Sequence, residues 1–201
     1  MTKICVSQLN FTVGDISGNT AKILDAVAKA RQEGVDLILF SELSLCGYAP
    51  DDLVFHRSFI RSMQLHLERI VKASKGIIVV VGLVRELDFA GEKALLNSAA
   101  VIYDEKLIGF QDKRLLPTYD VFNERRYFEP GTKSEPWCVG GYTFGLVICE
   151  DIWQHAGFIE YTQYATDPIA ELSKHKLDFL VNLTASPYQC QKPDMRVEVC
   201  S

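Results

Sequence analysis

Three ionisable side chains stand where apolar runs end: Glu42 after LILFS, Lys113 after KLIGFQD and Cys149 after GLVI. Ligands tend to bind where the strands of α/β sheets end, so a carboxylate, an ammonium and a thiol there could meet on one rim. The thiolate is the reactive form of cysteine, and a nearby cation lowers its pKa. A glutamate within hydrogen-bond reach can take the thiol proton and return it to a leaving amine. The lysine, with the backbone N–H of Glu150, can stabilise the oxyanion of a tetrahedral intermediate. Such a set suits acyl transfer from an amide or nitrile through a thioester.

Spacing alone does not single this set out. A lone cysteine on an apolar strand is more often packing, and Glu42 and Lys113 would by default be solvated surface charges. The histidines offer no competing site. His56, His66, His155 and His175 lie in helices or loops without the spacing of a Cys-His pair or a metal centre.

The elements that must carry these residues follow from periodicity. Residues 3–9 alternate and predict a first strand. Asp15 to Asn19 supply turn and cap residues before a helix over 20–34, with Ile23, Leu24, Val27 and Ala30 on one face and Gly34 past its end. VDLILFSEL (35–43) predicts a buried strand ending at Glu42, followed by a helix over about 52–74 whose apolar face starts at Phe55. Strands come next over 76–86, 95–105 and 106–113, the last two joined by a hairpin turn that lacks Asn-Gly. Residues 114–141 carry five aromatics and no clear period, which predicts a long structured loop. YTFGLVICEDIW predicts a central strand with Cys149 at its end. Asp167 then caps a helix with Pro168 at its first position. DFLVNLTAS (178–186) predicts a last strand, and the stub Asp194–Ser201 opens a helix or strand with no closing element. Parallel-looking and hairpin-joined strands mixed with helices argue a mixed-sheet α/β layer fold, one domain over 1–201.

Composition narrows the partners. With 48% hydrophobic and 23% charged residues, the 201-residue chain is that of an ordinary globular domain. A net charge of −5 gives no electrostatic case for nucleic acid or an anionic membrane. The first residues lack a signal-peptide layout, and no apolar run approaches the roughly 18 residues needed to cross a bilayer. The six cysteines contain no C-x-x-C pair and read as free thiols, so a reducing, cytoplasmic setting is expected.

Four segments add a resemblance: FSELSLCGY (40–48), DKRLLPTYDVFNERRYFEPG (112–131), ICEDIW (148–153) and NLTASPY (182–188). In this order they resemble the nitrilase superfamily, and more narrowly the glutaminase domains of glutamine-dependent NAD+ synthetases. The long K-R-x-L-P-x-Y-x-x-F-x-E-x-R-Y-F-x-x-G run separates that group from other nitrilases. The resemblance implies an αββα sandwich with mixed sheets and a triad that attacks the side-chain amide of glutamine. In it Glu42 is general base and acid, Lys113 stabilises the intermediate and Cys149 is the nucleophile. It further implies that Tyr119, Ser186 and Lys192 complete the glutamine site, with Lys192 pairing the α-carboxylate. Glu150 would hold the α-ammonium, and Tyr48 and Glu124 would back the triad or line a channel.

In that group the released ammonia passes to a second, ATP-using ligase domain that amidates deamido-NAD+. ATP and Mg2+ are therefore expected on that domain, and no cofactor on this chain. No Ser-Gly-Gly phosphate loop occurs here, and Gly140-Gly141 precedes a strand without phosphate-loop spacing. Elements after NLTASPY are nearly absent, which predicts a domain cut short at its C-terminal end. The expected partners are glutamine, a synthetase domain and further copies of the chain. Two other readings stand beside it: a stand-alone amidase of nitrilase type, with the same chemistry on another substrate, and a non-catalytic assembly module.

Overall fold

The protein is described by a computed structural model over residues 1–157, 163–190 and 192–200. A five-stranded sheet has the order β1 (Ile4–Val6), β2 (Leu37–Leu39), β3 (Ile78–Glu86), β4 (Leu95–Tyr103) and β5 (Lys106–Asp112). The first three strands are parallel because helices α1 (Ile16–Gln32) and α2 (Arg57–Ala73) form the crossovers between them. The rest are antiparallel. The β4–β5 turn is made by Asp104 and Glu105, both left-handed at φ 47° and 63°, the mirror-image turn that matches strand twist. Acidic residues therefore do here what Asn-Gly does elsewhere.

A second sheet has the order β6 (Trp137–Val139), β7 (Tyr142–Ile148) and β8 (Phe179–Leu183). Strand β6 lies inside the stretch expected to be loop, and Gly140-Gly141, with φ of 60° and 86°, turns it into β7. Three short helices follow β7 and β8: α3 (Trp153–Ala156), α4 (Pro168–Leu172) and α5 (Lys192–Val199). Asp167 caps α4 and Pro168 opens it, as expected.

The sheets face each other through Leu37, Leu39, Ile78, Val80, Phe144, Leu146 and Ile148. The outer face of the first sheet packs on α1 and α2. Val147 of the second sheet packs against Ile152, Trp153 and Leu172. The layers are thus α-β-β-α. Strand β2 is apolar throughout because its side chains alternate between two cores: Leu37 and Leu39 go to one, Ile38 to the other.

Several strands are shorter than expected, β1 and β8 among them, and three further differences from the sequence reading matter most. Helix α1 starts at Ile16, four residues early, because Asp15 caps it through the Gly18 N–H at 2.8 Å. The second helix is broken. A 3-10 turn over Asp51–Phe55 precedes α2, and His56 between them is extended, which leaves Phe55 exposed. Ile60, Met63, Leu67 and Ile70 make the buried face instead, each contributing about 1.5–3 kcal/mol on burial. Finally, β2 stops at Leu39, so Glu42 does not close a strand.

Candidate active site

Glu42 sits in a tight turn three residues beyond β2, followed by Leu43 in the left-handed region at φ 49°. This turn lies directly on β3 at Gly82. A Cβ at Gly82 would stand 2.4 Å from Leu43 N and 2.7 Å from Ser41 O, so only glycine lets the backbone that carries Glu42 approach. Lys113 follows β5 and keeps to the sheet ladder, donating its N–H to Asn97 O at 2.8 Å. Its side chain is fully buried and Nζ donates to Glu42 Oε1 and Glu124 Oε1, each at 2.7 Å. Asn97 of β4 donates to the same Glu42 oxygen at 2.8 Å, and the Ala185 N–H to Oε2 at 3.2 Å. The Tyr48 hydroxyl donates to Glu124 Oε1 at 3.0 Å. Glu124 Oε2 is buried and takes no hydrogen bond from the described residues.

The electrostatics follow from one cation shared by two carboxylates. Burial alone would lower the Lys113 pKa, but Glu42 and Glu124 hold the ammonium well above the ordinary lysine range. Burial pushes Glu124 up to about 7, against the pull of Lys113, because Glu42 already occupies the same ammonium. Burial and then Glu124 push the Tyr48 hydroxyl upward, which keeps it a donor.

Cys149 directly follows β7 and opens a 3-10 turn over Cys149–Ile152. Its backbone is left-handed at φ 48°, a strained conformation for a side chain with Cβ. Strain of this kind needs restraint on both sides, and two polar groups supply it. Asn182 Oδ1 of β8 accepts the Cys149 N–H at 2.7 Å. Asp151, fully buried, accepts the N–H groups of Ile148 at 2.9 Å, Leu115 at 2.8 Å and Arg114 at 3.1 Å. One carboxylate therefore ties the backbone beside Cys149 to the backbone beside Lys113. Burial raises Asp151 to about 6 despite these donors. Burial, reinforced by Glu42, pushes the Cys149 thiol up to about 12, while Lys113 and Thr184 pull it down. Among the described residues, the sulfur's hydrogen bond comes from the Thr184 hydroxyl at 3.3 Å; Glu42 and Lys113 act on it through charge.

The expected substrate-binding residues fall into two places. Tyr119 donates to both oxygens of Glu150 at 2.9 Å, joined by the Tyr164 hydroxyl at 3.0 Å. Burial raises the Glu150 carboxyl, and these two hydroxyls oppose the shift. Ser186 lines a cavity of about 520 Å³ that Glu42, Tyr48, Asn182 and Thr184 also line. Lys192 opens α5 with Nζ 5.8 Å from the Trp153 ring centre, a cation–π contact, and its charge reaches Glu150. A second, more apolar cavity of about 280 Å³ shares Tyr48 with the first and is walled also by Glu124, Val121, Phe122 and Pro187.

Sequence reasoning missed Asn97, Asp151, Asn182, Thr184 and Tyr164. Asn97 had a readable signal, being polar in the apolar run LLNSAAVIY. Asp151 and Thr184 lay inside quoted motifs but carried no spacing that set their partners. The contacts of Tyr164 depend on how the chain returns after α3, which no local pattern shows.

Residues 3–165 match the carbon-nitrogen hydrolase family. The chain belongs to that family. Among other carbon-nitrogen hydrolases, it is 38% identical over 205 residues to a glutamine-dependent NAD(+) synthetase of Synechocystis sp., covering 100% of this chain and 37% of that protein. A glutamine-dependent NAD(+) synthetase of Thermotoga maritima is 35% identical over 202 residues, covering 99% and 32%. The solved structure of a glutamine-dependent NAD+ synthetase from Acinetobacter baumannii superposes with a TM-score of 0.84 at 32% identity, covering 97% of this chain and 34% of that one. The chain thus spans about a third of the length of the curated relatives it matches. An amidase from Nesterenkonia sp. shares the fold at a TM-score of 0.74 and 19% identity. The αββα nitrilase-type fold with mixed sheets, expected from the motifs, is the fold of this chain. Among the described residues, no helix is long and apolar enough to cross a membrane.

Proposed function

We propose that this site hydrolyses the side-chain amide of glutamine through a thioester on Cys149. The observation that carries the reading is the fully buried Lys113 ammonium, held 2.7 Å from Glu42, beside a strained cysteine whose sulfur feels both charges. A lone packing cysteine needs neither the strain nor the buried ion pair.

In the first half-reaction the Cys149 proton passes to Glu42 as sulfur attacks the amide carbon. The C–S bond forms while the carbonyl π pair moves to oxygen, where Lys113 and the Glu150 N–H stabilise it. Collapse of the intermediate breaks the C–N bond, and Glu42 gives its proton to the departing nitrogen, releasing ammonia. Water then attacks the thioester, Glu42 takes its proton, and glutamate leaves as the thiol is restored. With its pKa near 12, the thiol is protonated at neutral pH, so the base must act in the attack itself.

Glu150 supports binding of the α-ammonium, since its carboxylate is buried and, among the described residues, carries only neutral hydroxyl partners at hydrogen-bond distance. Lys192 pairs the α-carboxylate, and Tyr119 and Ser186 orient the substrate. The likeness to NAD+ synthetases supports a further step. In it the ammonia passes to an ATP- and Mg2+-dependent synthetase domain that amidates deamido-NAD+, in a cytoplasmic enzyme assembled from several copies. Glutamate release, assayed with the parent chain and Cys149→Ala, tests the reading. The variant is expected to lose about 10⁴-fold or more in rate, and equal rates would remove Cys149 from the chemistry.

A further inference from the structure

Resting on that reading, we propose that Thr184 is a further catalytic residue, its hydroxyl holding the Cys149 sulfur as the thiol proton leaves for Glu42. Thr184 follows β8, two residues beyond Asn182, so the two side chains fall on one face of the strand's extension. One strand end therefore grips the nucleophile twice: Asn182 by the Cys149 N–H at 2.7 Å, Thr184 by the sulfur at 3.3 Å. The direction of the second bond is set by a third. Ser186 N–H donates to Thr184 Oγ1 at 3.3 Å, so the hydroxyl is already an acceptor and has its single proton to give to sulfur.

The sulfur needs such a donor. Cys149 is only 5% exposed, so water does little to solvate a thiolate there. The charged and titratable groups that act on it are Glu42 after β2, Lys113 after β5, and Glu124 and Tyr119 from the loop beyond β5. Two of these are carboxylates, and both oppose a further anion. Lys113 is the opposing cation, but its ammonium already donates to both carboxylates at 2.7 Å. Thr184 brings a donor with no such commitment, polarised by a backbone amide behind it.

The test is alkylation of Cys149 by iodoacetamide between about pH 7 and 9, resolved by peptide mass spectrometry so that the other cysteines are read separately. The parent chain is compared with Thr184→Val, Thr184→Ala and Thr184→Ser. For each unit by which the thiol pKa rises, about tenfold fewer thiolates each react about threefold faster, a net loss of about threefold. Valine and alanine are expected to slow Cys149 by that factor or more at every pH while exposed Cys138 keeps its rate; serine is expected to keep the parental rate. Buried Cys46 reports the fold, and should valine alone expose it, the alanine and serine chains decide. Parental rates in the valine and alanine chains would overturn the proposal. So would a serine chain as slow as valine, because a retained hydroxyl would then fail to restore the rate. Alkylation needs no glutamine, so a chain that shows this pattern without hydrolysing glutamine would overturn the proposed reaction and leave the Thr184 contact standing.

Discussion

Glu124 and Glu150 are both buried, at 5% and 3% exposure, and both accept hydrogen bonds from tyrosine hydroxyls. They differ in what else they touch. Glu124 meets the Lys113 ammonium inside the protein, whereas Glu150 has two hydroxyls and no cation at hydrogen-bond distance among the described residues. A carboxylate given its counter-ion by the fold belongs to a fixed electrostatic unit. One given only dipoles is free to meet a cation that arrives from outside. Under the proposed reaction, the same residue type thus serves machinery in one place and recognition in the other.

The strongest way to break this contrast is to remove the internal cation. Lys113→Met leaves two buried carboxylates facing each other, and stability measured by urea denaturation is expected to fall by about 3–5 kcal/mol. Glutamine hydrolysis is expected to vanish with it. A variant with parental stability would show that the ammonium is not what holds Glu42 and Glu124 together.

Glu124→Gln sharpens the electrostatic side. A carboxyl whose pKa rises on folding, here to about 7, binds more protons folded than unfolded. Its contribution is therefore full below the unfolded value and is lost as pH rises through about 7. Relative to the glutamine variant, the parent chain is expected to lose on the order of 3 kcal/mol between about pH 4 and 8. Asp151 titrates in the same window in both chains, so their difference isolates Glu124. Parallel stability curves would refute the shared-cation account.

Glu150→Gln tests the recognition side with the smallest expected effect. A lost charged hydrogen bond raises KM for glutamine about tenfold or more, with kcat held within a few-fold. A fall in kcat at unchanged KM would move Glu150 into the chemistry.

The sequence made some of this site visible and concealed the rest for a physical reason. Glu42, Lys113 and Cys149 could be picked out because apolar runs point to strand ends, and the structure joins Lys113 to Glu42 directly. The motifs brought Tyr48 and Glu124 into view, and these two are hydrogen bonded to each other. Local turns were harder to see. The excursion after Leu39 that carries Glu42, and the break at His56, depend on backbone hydrogen bonds to distant segments, such as Leu45 N–H to Gly82 O at 2.9 Å. Strand β6 was hidden because three residues are too few to show a period. Asn97 and Asp151 act across 55 and 36–37 positions of chain, distances over which spacing carries no information.

Gly82 has a consequence for anyone who would alter this protein. It bears no functional group and lies in the middle of a strand, so a search among side chains near the sulfur would pass over it. Yet a single methyl there would have to push Ser41 to Leu43 outward, carrying Glu42 away from Lys113. The reach of the proposed proton transfer is gauged by an empty space behind it, and that space is the dimension least able to drift.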